Sequence, residues 1–228
     1  MDPKLRKRFV DSIEYLRKMD FFKDYSNLTS EEILNKIFNG EIDYEFWWKE
    51  RKGREKRHLI PPWGEILKEG IEMKESFWMK SSDAEIDYRI IPFDTKRVMK
   101  ESPRTVIDDE LGIIMLRRLA RISRGVFQPS DISEEYVYPD PELGNDWTTY
   151  RVYFMFSDER HSVKITLEKD YFHDLGLRKI NELIKDTGYQ YYQINKEDLI
   201  VVVLTKEEAE RLEKERGWKF KYEIYSLG

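Results

Sequence analysis

The segment LIVVVL at residues 199–204 is apolar at every position. Successive side chains of a β-strand point to opposite faces of the sheet, so a strand of this composition needs apolar cover on both faces. The segment therefore predicts a central strand, in a sheet whose two faces are both covered.

The sequence around this strand repeats a hairpin pattern. Apolar residues alternate over 150–156 and 161–167, on either side of a polar turn, and alternate again over 189–194, before a second turn that leads into 199–204. The two hairpins begin about 39 residues apart, at Tyr150 and Tyr189. We expect a repeat of structural type.

A helical pattern follows each hairpin. After the first, apolar residues recur at helical spacing at Leu177, Ile180, Leu183 and Ile184; after the second, Thr205 and Glu208 form a capping box that starts a helix. A last alternating strand is expected at 219–225. Residues 126–228 therefore read as an α+β domain of the order ββα-ββα-β, with a mixed or antiparallel sheet built from two β-hairpin–helix units.

Residues 1–125 read as a mainly helical region with one or more short strands. Apolar residues at helical spacing predict a first helix, and Thr29 with Glu32 forms a capping box that begins a second. Strict alternation over 85–91 predicts a strand. A long helix is expected over 108–123, with the acidic run Asp108-Asp109-Glu110 capping its first turn.

Segment 125–147 is rich in Pro, Asp and Gly, and it is the best candidate for a boundary or a long connection. The sheet of the second region needs cover on both faces. We therefore expect the helical region to pack against it, which gives an α+β fold.

The composition limits the class of protein. The chain has no Cys, which excludes disulfides, cysteine nucleophiles and thiolate zinc sites. It has no apolar run long enough to cross a bilayer and no apolar signal sequence at its charged N-terminus. We expect a cytoplasmic protein that does not contact a membrane.

The charge is distributed unevenly. Residues 125–228 hold 14 Lys and Arg against 21 Asp and Glu, a net of −7, whereas residues 1–124 have a small positive excess. An acidic half repels phosphate backbones. Any nucleic-acid contact is therefore expected from the N-terminal half.

No catalytic or cofactor motif is present in the sequence. There is no Gly-rich phosphate loop, no nucleophile elbow and no HExxH. The three histidines, His58, His161 and His173, lack the spacing of metal ligands, and structural roles are favoured for them. We assign no catalytic residue, no metal site and no cofactor.

One segment stands out as a candidate binding site. Residues 46–63 combine aromatic rings with six positive and two negative residues between Lys49 and His58. Rings beside a basic loop can stack bases and neutralise phosphates, or form a protein–protein hot spot. A solvated loop after a core helix explains the same pattern, and both interpretations stay open. The candidate binding residues are Trp47, Trp48, Arg51, Lys52, Arg54, Lys56, Arg57 and Trp63.

The general character of residues 126–228, acidic and rich in aromatic residues, resembles that of the small immunity proteins that neutralise bacterial toxins. This resemblance implies a non-catalytic protein that binds, and inhibits, another macromolecule, with a protein as the expected partner. One alternative is a nucleic-acid-associated protein that acts through 46–63. A second alternative is an enzyme with an unfamiliar site. The oligomeric state does not follow from the sequence.

Overall fold

In a computed structural model of the protein, the structure describes residues 1–43, 62–102, 110–169, 171–194 and 199–221. These ranges contain both helices and antiparallel strands, which confirms the α+β class. The helices are α1 (Pro3–Arg17), α2 (Ser30–Phe38), α3 (Trp63–Met73), α4 (Glu75–Trp78), α5 (Asp83–Ile90), α6 (Leu111–Ile122), α7 (Leu177–Leu183) and α8 (Lys206–Arg216). The strands are β1 (Val98–Glu101), β2 (Ser130–Val137), β3 (Trp147–Phe156), β4 (Glu159–Glu168), β5 (Tyr171–Asp174), β6 (Tyr189–Ile194), β7 (Leu199–Thr205) and β8 (Phe220–Lys221).

The chain forms two compact units. The first consists of Met1–Val98 and Glu207–Lys219, and the second contains Met99–Lys206 together with strand β8. The division between these units falls near residue 98. The boundary expected near 125 stays a prediction. Segment 125–147 is also more than a connection, because it contains strand β2. The expected packing of residues 1–125 against the sheet of 126–228 stays a prediction.

The first unit is helical, as expected. Helix α1 packs against α2 and α5, and its predicted apolar face is fully buried at Leu5, Phe9, Ile13 and Leu16. Helix α2 begins with the predicted capping box, in which Thr29 and Glu32 each bond the other's backbone N–H. No helix among the residues that the structure describes is long and apolar enough to cross a membrane.

Residues 85–91 are not a strand, and this prediction was wrong. They lie in helix α5 and in the 3-10 turn that follows it, and α5 starts with a second capping box, formed by Ser82 and Glu85. The alternation was misleading because this helix is buried on several sides. One of the positions expected on the polar face, Asp87, is fully buried.

The carboxylate of Asp87 is the polar centre of the first unit. It accepts hydrogen bonds from Ser12 Oγ at 2.5 Å and from Trp218 Nε1 at 2.8 Å. Arg216 adds a bidentate pair, with Nε at 2.9 Å and Nη2 at 2.7 Å. Four donors satisfy this buried charge, and they connect α1, α5 and the segment that contains α8.

A single substitution tests this centre. Asp87→Ala should lower the free energy of unfolding by about 3–5 kcal/mol, because it leaves the buried Trp218 N–H without its acceptor and the Arg216 guanidinium with only its pair to the half-exposed Asp83. Asp83→Asn is the matched control: Asp83 also contacts Arg216, at 3.1 Å, but is half exposed, so the expected loss is below about 1 kcal/mol. Urea unfolding of both variants measures the two values, and equal losses would contradict the assignment.

A second buried carboxylate, Asp94, holds the turn after α1. Asp94 accepts a hydrogen bond from the backbone N–H of Phe22 at 2.6 Å, and Phe22 has a left-handed φ of 57°. Burial raises the pKa of the Asp94 carboxyl from its ordinary value of 3.8 to about 6. The folded state therefore binds a proton more tightly than the unfolded state does.

This raised pKa predicts a pH dependence of stability. Because the folded-state pKa lies above the unfolded value, the contribution of Asp94 is lost as the pH rises from about 4 to about 6. Asp94→Asn keeps an oxygen acceptor for Phe22 and removes the charge. It should be more stable than the wild type at pH 7 by on the order of 2 kcal/mol, with the difference vanishing near pH 4. Parallel pH profiles of the two proteins would show that Asp94 does not titrate in this way.

The second unit contains two four-stranded sheets, in the orders β2-β3-β4-β5 and β1-β7-β6-β8. Strand β7 is internal, and residues 199–204 are all buried, as the apolar run predicts. The two predicted hairpins are present, as antiparallel pairs β3–β4 and β6–β7. They lie in different sheets rather than in one. A helix follows each hairpin, α7 after the intervening strand β5 and α8 directly after β7.

Flanking strands complete the two separate sheets, and one of them, β8, lies in the strand expected at 219–225. Strands β2 and β5 pair with the two sides of the β3–β4 hairpin, and β1 and β8 flank the other hairpin. Along the chain, strand β5 comes between the first hairpin and α7. Alternation along a strand specifies which face is buried, but it does not specify the neighbouring strand.

Helix α6 contacts both sheets. Its predicted apolar face, including Leu111 and Leu119, is buried, and Gly112 lies so close to β3 that an added Cβ would be 2.8 Å from the Cβ of Tyr150. On its other side, the Tyr191 hydroxyl of β6 donates to the Leu119 carbonyl at 2.7 Å. The helix also carries Arg118, which is buried in an ion pair with Glu101 of β1.

The cap of α6 differs from the expectation. Glu110 has a left-handed φ of 67°, and its side chain makes no capping bond, whereas Asp108 and Asp109 lie outside the described residues. The capping group is Glu134 of β2, which accepts from Glu110 N at 2.6 Å and from Ile113 N at 2.9 Å. A carboxylate does satisfy the helix start, but it comes from a distant strand.

Candidate binding groove

A groove of about 520 Å³ lies in the second unit, between α7 and β6. Its lining comes from α7, from β6, from the turn between them, and from one lysine in each of two further elements, Lys206 of α8 and Lys221 of β8. This volume is within the range of ligand-binding pockets, roughly 300–1,000 Å³.

The charge of the groove is positive. Among the residues that the structure describes, its lining contains four cations and a single carboxylate, Glu182, a net of +3. The cations are Arg178, Lys185, Lys206 and Lys221. The groove therefore attracts anions although it lies in the half of the chain with a net charge of −7.

Two of the charged groups neutralise each other in part. Lys185 Nζ donates to Glu182 Oε1 at 2.7 Å, and both side chains are about three-fifths exposed. This hydrogen bond raises the pKa of Lys185 and lowers that of Glu182. Arg178 is exposed and makes no ion pair with any residue that the structure describes. Arg178 is thus the lining cation best placed to form an ion pair with a bound anion.

The wall formed by α7 is fixed to β6 by an amide pair. Asn181 Nδ2 donates to the backbone carbonyl of Tyr191 at 3.0 Å, and the Tyr191 N–H donates to Asn181 Oδ1 at 2.7 Å. Below this pair, Leu177 and Ile180 are buried, and burial raises the pKa of the Tyr191 hydroxyl. The floor of the groove is therefore part of the packed core.

Apart from Arg118, the arginines on α6 and just after it fall into two groups. Arg117 and Arg121 are exposed, as expected for a solvated helix face. Arg124 follows the helix, and its guanidinium lies 4.7 Å from the centre of the Tyr189 ring, a groove residue. This cation–π contact extends the positive surface to the edge of the groove.

Most of the sequence-predicted binding site lies outside the described residues. This applies to Trp47, Trp48, Arg51, Lys52, Arg54, Lys56 and Arg57, so the hypothesis for segment 46–63 stays a prediction. Trp63 is described: it is half-buried at the start of α3, and its backbone N–H donates to Asp43 Oδ1 at 3.2 Å.

Two histidines can be placed, and both contact aromatic rings. His161 is half-buried between Phe154 and Phe156, and its Nε2 lies 3.2 Å from the Phe156 carbonyl oxygen. His173 packs edge-on against Trp147 at 4.7 Å. Across the described ranges, no group of three or more His, Cys, Asp or Glu is arranged to hold a metal ion.

The first unit has an exposed apolar patch, formed by Met73, Phe77 and Met79. Met73 is 78% exposed and Phe77 is 57% exposed, whereas the neighbouring Trp78 is buried against Phe9. Arg8 holds the same turn by donating to the Trp78 carbonyl at 3.0 Å. Apolar side chains on a fixed turn are typical of a protein contact.

Sequence reasoning missed the groove because its cations are far apart in the chain. Arg178 and Lys221 belong to different elements, and acidic residues separate them in the sequence. The two residues lie in elements that precede and follow the predicted hairpin containing 189–194. Only the packing of α7 on β6 shows that both line the same groove.

Comparison of the chain with models of protein families, with curated proteins and with solved structures finds no match. The interpretation of function therefore rests on the groove itself.

Proposed function

We propose that this chain is a binding protein that holds an acidic segment of another protein in the groove between α7 and β6. The observation that carries this proposal is the positive lining of a groove in an otherwise acidic region. A carboxylate bound there would make charge-assisted hydrogen bonds with the Arg178 guanidinium.

The framework around the groove supports binding to a preformed site. The Asn181 pair and the buried side chains beneath it set the position of α7, so the backbone that carries Arg178 is fixed before a partner arrives. Preorganised groups lose less conformational entropy on association, which favours affinity.

A protein partner fits the groove better than a nucleic acid does. Single-stranded nucleic acids are held by stacking their bases on open aromatic rings, as well as by phosphate contacts. In the groove, Tyr191 and Tyr192 are buried, and Arg124 covers one face of Tyr189. Nucleic-acid binding through residues 46–63 remains the alternative proposal.

Inhibition of the partner would follow from simple occupancy. A partner whose acidic segment takes part in its own activity loses that activity while the segment is held in the groove. This is the sense in which the protein would act like an immunity protein.

Two neighbouring residues on α7 provide a matched test. Arg178 lines the groove, whereas Lys179 is equally exposed but does not line it. Arg178→Glu should weaken binding of a fluorescent Glu-rich peptide about tenfold, which corresponds to about 1.4 kcal/mol. Lys179→Glu should weaken it less than about threefold, and added salt should weaken binding to the wild type. The measurement is fluorescence anisotropy at low and at physiological ionic strength.

Equal effects of the two substitutions would show that the peptide responds to net charge and not to the groove. If the wild type fails to bind the Glu-rich peptide at low salt, the proposal is wrong. Tighter binding of single-stranded DNA than of the peptide would favour the nucleic-acid alternative.

A further inference from the structure

The backbone of β6 shows how a partner can and cannot enter the groove. In an antiparallel ladder, alternate residues direct their N–H and C=O groups to the same edge of a strand. Tyr191 lies opposite Val203 of β7, yet its N–H and C=O bond with Asn181. The backbone N–H and C=O groups of Tyr191 therefore point to the edge of β6 away from β7, towards the groove. Those of Tyr189 and Gln193 point to the same edge.

All three positions on this edge already have partners. Gln193 lies opposite Lys221 in the ladder with β8, and both polar backbone groups of Tyr191 are held by the Asn181 amide. The Tyr189 N–H donates to Thr187 Oγ1 at 3.3 Å. The Asn181 side chain thus takes the place that a peptide group of an added strand would occupy.

We infer that the groove recognises its partner through acidic side chains and not through strand addition to β6. This inference rests on the proposed function and specifies its partner further. An incoming strand would have to displace Asn181, whereas a carboxylate reaches Arg178 without disturbing the sheet edge. The partner is therefore a segment whose own backbone hydrogen bonds can be satisfied internally, such as an acidic helix or turn.

Backbone methylation of the probe separates the two modes. Strand addition uses the N–H groups of alternate peptide residues, so N-methyl groups at those positions prevent it, whereas side-chain charges are unchanged. The full-length protein is titrated with the Glu-rich peptide and with the same peptide N-methylated at alternate residues, in both registers. We expect the affinities for the peptides to agree within about threefold.

A loss of more than about tenfold on methylation in one register, with the unmethylated peptide still bound, would overturn this inference and leave the proposed function intact. Absence of binding by every peptide would instead contradict the proposed function. An Asn181→Ala variant gives a second readout. Since it frees the edge of β6, methylation should weaken binding to this variant more than binding to the wild type, and equal sensitivity would count against the role of Asn181.

Discussion

Tyr191 makes the interactions on which the second unit and its groove depend. Its ring is buried in contact with Phe127, its hydroxyl donates to the Leu119 carbonyl of α6, and its peptide groups pair with Asn181 of α7. A phenol buried without a partner would cost about 1–3 kcal/mol. The hydroxyl bond therefore fixes α6 on this sheet, as the amide pair fixes α7 beside it. The position of Arg178 follows from these two attachments.

The electrostatics of the groove illustrate why net charge is a poor guide to a site. The second half of the chain is acidic overall, and its net charge predicts a surface that repels phosphate. At physiological salt, however, exposed charges are screened beyond about 8 Å, so a ligand responds mainly to the groups around it. Of the described residues, four cations and one carboxylate line the groove, and that carboxylate is already paired with Lys185. The local field is therefore positive.

The parts of the fold that the sequence predicted are those set by local pattern. The central strand 199–204, the two hairpins, the faces of α1 and α6, and the Thr29 capping box all follow from periodicity and capping. The strand predicted for 85–91 was wrong because a helix that begins at the Ser82–Glu85 capping box and is buried on several sides also shows alternating apolar residues. The division into two sheets, the cap by Glu134 and the groove depend on long-range contacts, which no local pattern encodes. The one candidate site that composition did indicate, residues 46–63, lies almost entirely outside the described residues.

The central claim is that an acidic ligand occupies the groove between α7 and β6. Amide chemical-shift mapping by NMR tests this directly, since each backbone N–H reports on its own surroundings. On titration with the Glu-rich peptide, the largest shifts should fall on residues 178–182 and 189–193. Shifts confined to other surfaces, such as the Met73–Phe77–Met79 patch or the exposed Arg117 and Arg121, would contradict the claim.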